Sequence, residues 1–207
     1  MVSKKDLSEQ DIRTKFITPA IEKAGWDRMT QLGEDVPLTD GKIFIRGNLF
    51  ARGKLKRADY VLYYKPNIPI AIIEAKDNNH SVRSGIQQAL GYRELLKDVP
   101  CVYSSNGDAF FEHDFTSSNG KIEREIPLDE FPTPEELWKR YKKLNNIEEP
   151  QEITVAEQDY FYDSTGKKPR YYQQVAINRI VEAIAKGQDR ILLVLATGTG
   201  KTYVAFQ

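Results

Sequence analysis

The sequence holds a single cysteine, Cys101, among 207 residues. One thiol cannot close an internal disulfide, so a small oxidised scaffold is excluded. Histidine is nearly as scarce. His80 and His113 have no partner at metal-ligand spacing, which argues against a structural zinc site. No Ser-His-Asp or Cys-His arrangement stands in a recognisable frame, and nucleophilic side-chain catalysis is set aside. Long apolar spans and a signal peptide are also missing, so the expectation is a soluble, cytoplasmic protein with no membrane role. Neither sign of charge is in excess, since 30 basic residues balance 30 acidic ones. Bulk charge therefore does not announce a nucleic-acid partner. The length is that of one good-sized domain, or of one domain plus part of another.

What is present is concentrated between Asp59 and Lys76. Two apolar runs rich in β-branched and aromatic residues, 60–64 and 70–75, flank Pro66-Asn67 and predict a β-hairpin. In the second run the two-residue period puts Glu74 and Lys76 on the face of Ile70 and Ile72, with Ala71, Ile73 and Ala75 opposite. A carboxylate and an ammonium thus leave the end of a buried strand side by side, where packing alone would not put them. Asp59, at the start of the neighbouring strand, is placed to join them. Such a trio suits metal-assisted phosphodiester hydrolysis. Asp59 and Glu74 supply hard oxygen ligands for Mg²⁺, and Lys76 orients water or steadies the anionic transition state. A Glu-x-Lys triplet alone also occurs on solvated strand ends; the apolar strand before it and the hairpin distance to Asp59 give it weight. Arg46, Arg52, Lys54, Lys56 and Arg57 precede Asp59 with no acid among them. This run suits approach of a phosphate backbone, or equally a solubilising hairpin.

At these residues the chain resembles the PD-(D/E)xK nucleases, with Asp59 as first acid and Glu74-Ala75-Lys76 as the second half of the motif. Ala58 stands where the family name has proline. In the helix predicted over 81–97, Gln88 and Tyr92 are four apart and share a face, with Ile86, Ala89 and Leu90 turned inward. They resemble the QxxxY signature of the RecB-like and type I restriction nucleases, which implies contacts near the active site or the DNA backbone. Taken alone, the pair reads as part of a mixed surface and core helix.

The chain opens with a predicted helix: Ser8 as cap, then Ile12, Phe16, Ile17, Ala20, Ile21 and Ala24 on one stripe, and Gly25 as the stop. Pro19 is expected to kink or divide it. Glu9 is a further candidate metal ligand, because related nucleases bring a carboxylate from the first helix; a favourable charge in the first turn is the simpler reading. Asp40-Gly41 marks a turn before a strand at 42–46. Strands are also predicted at 99–105 and 109–115 around Asn106-Gly107. The order gives an α/β class, a mixed central sheet flanked by helices, which also fits the nuclease fold. Thr133 and Glu136 form a capping box with Pro134 at the first helical position. That helix runs to about Leu144, and a polar, proline-marked stretch follows. The expected division is a nuclease domain over 1–150, a linker over 151–168 and a second unit over 169–207.

The second unit begins with a helix from Pro169 carrying Ala176, Ile180 and Ile184 and closed by Gly187. A short buried strand, 190–195, leads into Ala196-Thr197-Gly198-Thr199-Gly200-Lys201-Thr202. In a phosphate-binding loop of this kind Gly198 and Gly200 let backbone N–H groups wrap the phosphates, Lys201 reaches the β and γ oxygens, and Thr202 ligates Mg²⁺. The loop resembles motif I of superfamily-2 helicases and translocases. Arg170-Tyr-Tyr-Gln173-Gln-Val-Ala176 resembles the motif before it, which implies that Gln173 reads the adenine edge of ATP.

Nuclease motif, QxxxY helix and superfamily-2 motor, in that order, resemble the N-terminal part of the type I restriction enzyme R subunit, HsdR. Type III enzymes are similar in parts but carry the nuclease after the motor. The resemblance implies double-stranded DNA as substrate, Mg²⁺ and ATP as cofactors, and modification (M) and specificity (S) subunits as partners. It also implies ATP-driven translocation in a longer parent protein, since Gln207 comes only five residues after Thr202. Two other readings stay open: a stand-alone repair helicase-nuclease, and a catalytically silent docking module.

Overall fold

The computed structural model describes residues 3–38, 43–46, 49–52, 56–65, 68–118, 120–147, 150, 153, 157 and 169–206. The turns at Pro66-Asn67 and Asp40-Gly41, Lys54, the side chains of Arg46 and Arg52, and most of the expected linker lie outside these residues.

The strands are β1 (Leu32–Pro37), β2 (Ile43–Arg46), β3 (Leu49–Arg52), β4 (Arg57–Tyr63), β5 (Pro69–Ala75), β6 (Cys101–Ser105), β7 (Ala109–Asp114) and β8 (Glu123–Pro127). Six of them form one mixed sheet in the order β1-β4-β5-β6-β7-β8, while β2 and β3 pair separately. The predicted hairpin is the antiparallel pair β4–β5. β5 and β6 are parallel, so the chain must cross over between them, and it does so through α3 (Ile86–Arg93). All seven residues of β5 are buried, as the near-continuous apolar run requires of a central strand covered on both faces.

One face carries Tyr60, Leu62, Ile73, Tyr103 and Phe110, and is covered by the first helix and by α4 (Pro134–Asn145). The other carries Val61, Ile72, Val102 and Phe111 beneath Ile86, Ala89 and Tyr92 of α3. Ile72 therefore shares the face of Glu74 as the alternation predicts. Ile70 does not: it packs into the first cluster, because the pairing shifts register beside it at Leu62/Tyr63.

The first helix is capped as expected, with the Asp11 N–H donating to Ser8 Oγ at 3.1 Å. It runs as α1 (Glu9–Ile12), a π turn (Arg13–Ile17) and α2 (Thr18–Lys23). Pro19 lacks an amide hydrogen, and the π turn just before it absorbs the defect; the Thr18 N–H bonds back to the Arg13 carbonyl. The helix is widened at this point rather than cut. Gly25 ends the segment at φ +96°, the left-handed conformation that only glycine adopts freely.

Beyond α4 the described chain resumes at Pro169. The helix predicted there is α5 (Tyr171–Ala185). It docks on the sheet domain through an ion pair of Arg179 with Asp98 and a hydrogen bond from the Tyr141 hydroxyl to Glu182 Oε1 at 2.9 Å. The buried strand expected over 190–195 is not formed: Leu192 and Val194 are 88% and 80% exposed, and no described strand pairs with the segment. Strand structure and burial both come from neighbours, and none of the described ones stands beside it. The loop then enters α6 (Lys201–Phe206). No described helix is long and apolar enough to cross a membrane.

Candidate active site

The end of β5, the start of β4 and one flank of α3, from exposed Gln88 to buried Tyr92, meet at one place. The Ala75 N–H donates to Asp59 Oδ2 at 2.7 Å, which ties the first acid to the strand bearing the second. Lys76 Nζ donates to Glu74 Oε1 at 2.6 Å and to Gln88 Oε1 at 3.5 Å, and Gln88 Nε2 donates to the Tyr92 hydroxyl at 2.5 Å. The result is an unbroken file of contacts, Tyr92–Gln88–Lys76–Glu74. Its members come from two elements, and the four-residue helical spacing aligns the Gln88 and Tyr92 side chains along it. The Lys76 N–H also donates to the Ser105 carbonyl at 2.8 Å, so the backbone holds the lysine where β5 leaves the sheet.

Glu74 is buried, and its Oε2 has no hydrogen-bond partner among the described residues. Burial first, and then the Asp59 charge, push its carboxyl up to about 7, against the lowering influence of Lys76. Burial and the Asp59 charge also raise Glu9. For Lys76, burial disfavours the ammonium, but the hydrogen bond to Glu74 and the fields of Glu74, Glu9 and Asp59 outweigh it and raise its pKa. The four groups thus share one electrostatic site. Glu9 is coupled to the site by its field, and among the described residues no three acidic, histidine or cysteine side chains form a group that could hold a metal. An orphaned buried carboxylate oxygen beside a second carboxylate still fits a hard cation. Mg²⁺ is commonly held by one or two carboxylates, with water and substrate phosphate completing its shell.

Two residues of this site escape the sequence reading. Arg13, on the π turn, has a side chain 6% exposed and donates from Nη2 to the Asp59 carbonyl at 3.1 Å. Its position on the apolar stripe, in line with Ile17 and Ala20, is the signal that marks it, since a charge there must find a partner. Gly85 is the other. A Cβ at this position would lie 2.8 Å from Glu74 Cγ and 3.1 Å from Ser104 Cβ, so α3 comes as close to β5 as it does only because residue 85 has no side chain. Sequence gives no local sign of that contact.

The second predicted site is an open loop. Gly198 and Gly200 take φ of +78° and +84°, the left-handed turns that a phosphate cradle needs. Lys201 Nζ donates to the Leu195 and Ala196 carbonyls at 2.6 and 3.2 Å, lying across the loop. Thr202 is exposed at the first turn of α6. Gln173 Nε2 donates to the Thr199 carbonyl at 3.0 Å, so α5 and the loop are joined where adenine recognition was expected.

Known proteins similar to this chain are restriction enzyme subunits. Residues 44–121 match the family model described as type I restriction enzyme R protein N terminus, and residues 166–207 match that of the type III restriction enzyme res subunit. The EcoAI type I restriction enzyme endonuclease subunit of Escherichia coli is 51% identical over 203 residues, 98% of this chain and 25% of that protein. The EcoKI endonuclease subunit of Escherichia coli strain K12 is 30% identical over 186 residues, 72% of this chain and 16% of that protein. Among solved structures, the fragment of a candidate HsdR subunit of a type I restriction enzyme from Vibrio vulnificus YJ016 is 39% identical. It superposes with a TM-score of 0.78 over 97% of this chain and 37% of that one. The chain spans about a quarter of the length of the first curated relative.

Proposed function

Since this chain belongs with the R subunits of type I restriction enzymes and corresponds to their N-terminal part, we propose that its sheet domain is an Mg²⁺-dependent endonuclease acting on double-stranded DNA. The observation that carries the reading is the meeting of Asp59, Glu74 and Lys76 at one strand end, with a buried Glu74 oxygen left unsatisfied among the described residues. Asp59 and Glu74 would hold the metal, which when bound acidifies water and takes up negative charge on the phosphate. Lys76, kept in place by Glu74 and Gln88, directs the attacking water and steadies the charge that builds on the phosphate. Tyr92 fixes Gln88, and through it the lysine head group. Glu9 adds negative potential and so favours a cation at the site.

Gln173, Gly198, Gly200, Lys201 and Thr202 are proposed as the ATP site of a superfamily-2 motor. In the full protein that motor translocates DNA and acts with M and S subunits, the latter choosing the sequence. Sheet domain and motor unit divide as the nuclease over 1–150 and the segment from 169 onward.

The test is plasmid cleavage by the full-length protein with M and S subunits, with and without ATP and Mg²⁺. Asp59→Ala and Lys76→Ala are expected to lower the cleavage rate by about 10²–10³-fold or more while ATP hydrolysis continues. Cleavage surviving both substitutions would rule out this active site, and cleavage without M and S subunits would favour a stand-alone repair nuclease.

A further inference from the structure

Arg13 carries a full charge in a place where an apolar residue would cost less. Its side chain is 6% exposed, it lies over the Tyr60 ring at 4.8 Å, and its Nε has no hydrogen-bond partner among the described residues. Burying a guanidinium this deeply is stabilising only where its partners repay the lost hydration. Those partners are acids of the edge strand β1 and of β4 beside it. Nη1 lies 3.0 Å from Asp35 Oδ1 and 3.7 Å from Asp59 Oδ1, and Nη2 is 3.9 Å from Glu34 Oε2.

The pairing of β1 with β4 explains the need. Glu34 faces Tyr60 and Val36 faces Ala58, and Asp35 and Asp59 fall at the position between these two pairs. Like charges in that relation repel, and Asp35 adopts φ +52°, a conformation that costs a non-glycine residue energy. A cation between the two aspartates offsets both penalties. Arg13 supplies it from the π turn and also holds the Asp59 backbone by its carbonyl. π turns of this kind recur at functional sites.

Resting on the nuclease reading above, we infer that Arg13 is a positioning residue of the cleavage site: its planar fork fixes Asp59 by carbonyl and carboxylate beside Glu74, in the orientation that a divalent cation requires. Lysine keeps the charge but lacks the fork that spans Asp35 and the Asp59 carbonyl together.

The experiment uses full-length R subunit, alone and assembled with M and S subunits, as wild type, Arg13→Gln, Arg13→Lys and Asp59→Asn. Two quantities are read: Mn²⁺ binding to the nucleotide-free subunit, from the EPR signal of free ion, and the Mg²⁺ concentration for half-maximal DNA cleavage. ATP hydrolysis reports on folding and assembly. Arg13→Gln is expected to weaken Mn²⁺ binding and raise the Mg²⁺ requirement by about 10–100-fold, the usual effect of removing a group that orients a metal ligand. Arg13→Lys should fall between it and wild type, with ATP hydrolysis normal in both. Wild-type metal binding and Mg²⁺ requirement in Arg13→Gln would overturn the inference. If Arg13→Gln does not assemble, Arg13→Lys decides by the same criterion. Asp59→Asn separates the two levels. Unchanged metal binding and cleavage in that variant would sink the nuclease reading itself, whereas their loss there with unaltered Arg13 variants would sink only the role given to Arg13.

Discussion

Ile73 and Leu192 lie in short apolar runs of the same kind, yet Ile73 is fully buried and Leu192 is 88% exposed. The first run, in β5, has β4 on one side and β6 on the other, with a helical layer over each face. The second has no strand beside it among the described residues. Apolar content fixes what a segment will bury when neighbours exist; it does not supply the neighbours. The charged groups divide the same way. The sheet domain draws a few of them inward and pairs them, as with Glu112, which accepts from the Tyr103 hydroxyl at 2.8 Å and from Arg140 at 2.6 Å and also pairs with Arg124. Around the phosphate loop they stay at the surface, and Lys201 satisfies itself on carbonyls of its own loop.

The contrast is sharpest at Glu112. Glu112→Ala strands the fully buried Tyr103 hydroxyl and removes the main anion facing Arg140, so it should cost about 3 kcal/mol, measured by urea denaturation. A loss below about 1 kcal/mol would mean that Asp114, 3.4 Å from Arg140, takes over the pairing. The next effect is a pH dependence at Glu74. With its carboxyl at about 7 in the folded chain against an ordinary 4.5, Glu74 keeps its proton longer folded than unfolded. Its contribution to stability is therefore fullest below 4.5 and declines as the pH rises toward 7, by up to about 3 kcal/mol. In EDTA, the stability difference between wild type and Glu74→Gln should shrink or reverse over that interval, and Mg²⁺ should blunt the change. A difference independent of pH would show that Lys76 neutralises Glu74 completely. The smallest effect belongs to the other region: Leu192→Ser should shift the denaturation midpoint of this chain by no more than the equivalent of about 0.5 kcal/mol. A larger loss would mean that the segment packs after all.

Much of the site is legible in the sequence because its logic is local. The strand period sets Glu74 and Lys76 on one side, the helical period aligns Gln88 with Tyr92, and the structure joins all four in a file of contacts. The α/β class, the hairpin and the capped α4 follow from equally short-range signals. What escapes depends on distant pairs. Arg13 is tied to Asp59 across 46 positions, and nothing within its own helix names the partner. β1 is hidden because Gly33, Glu34 and Asp35 break the alternation that marks a strand, while β8, an edge strand with the sequence Glu-Arg-Glu-Ile-Pro, has only Ile126 buried. The segment 190–195 errs in the opposite sense, having the pattern of a strand without the company.

Gly85 also bears on how this site can be inherited. The methyl group that would make it an alanine meets the stem of Glu74 itself, so a single-step change at 85 acts on the acid as directly as a change at 74. The two positions cannot drift separately while the acid keeps its place. Wherever Glu74 keeps this place beside α3, position 85 should hold glycine. Where Glu74 has been lost, larger residues should appear there early, before the surrounding core loses its apolar character.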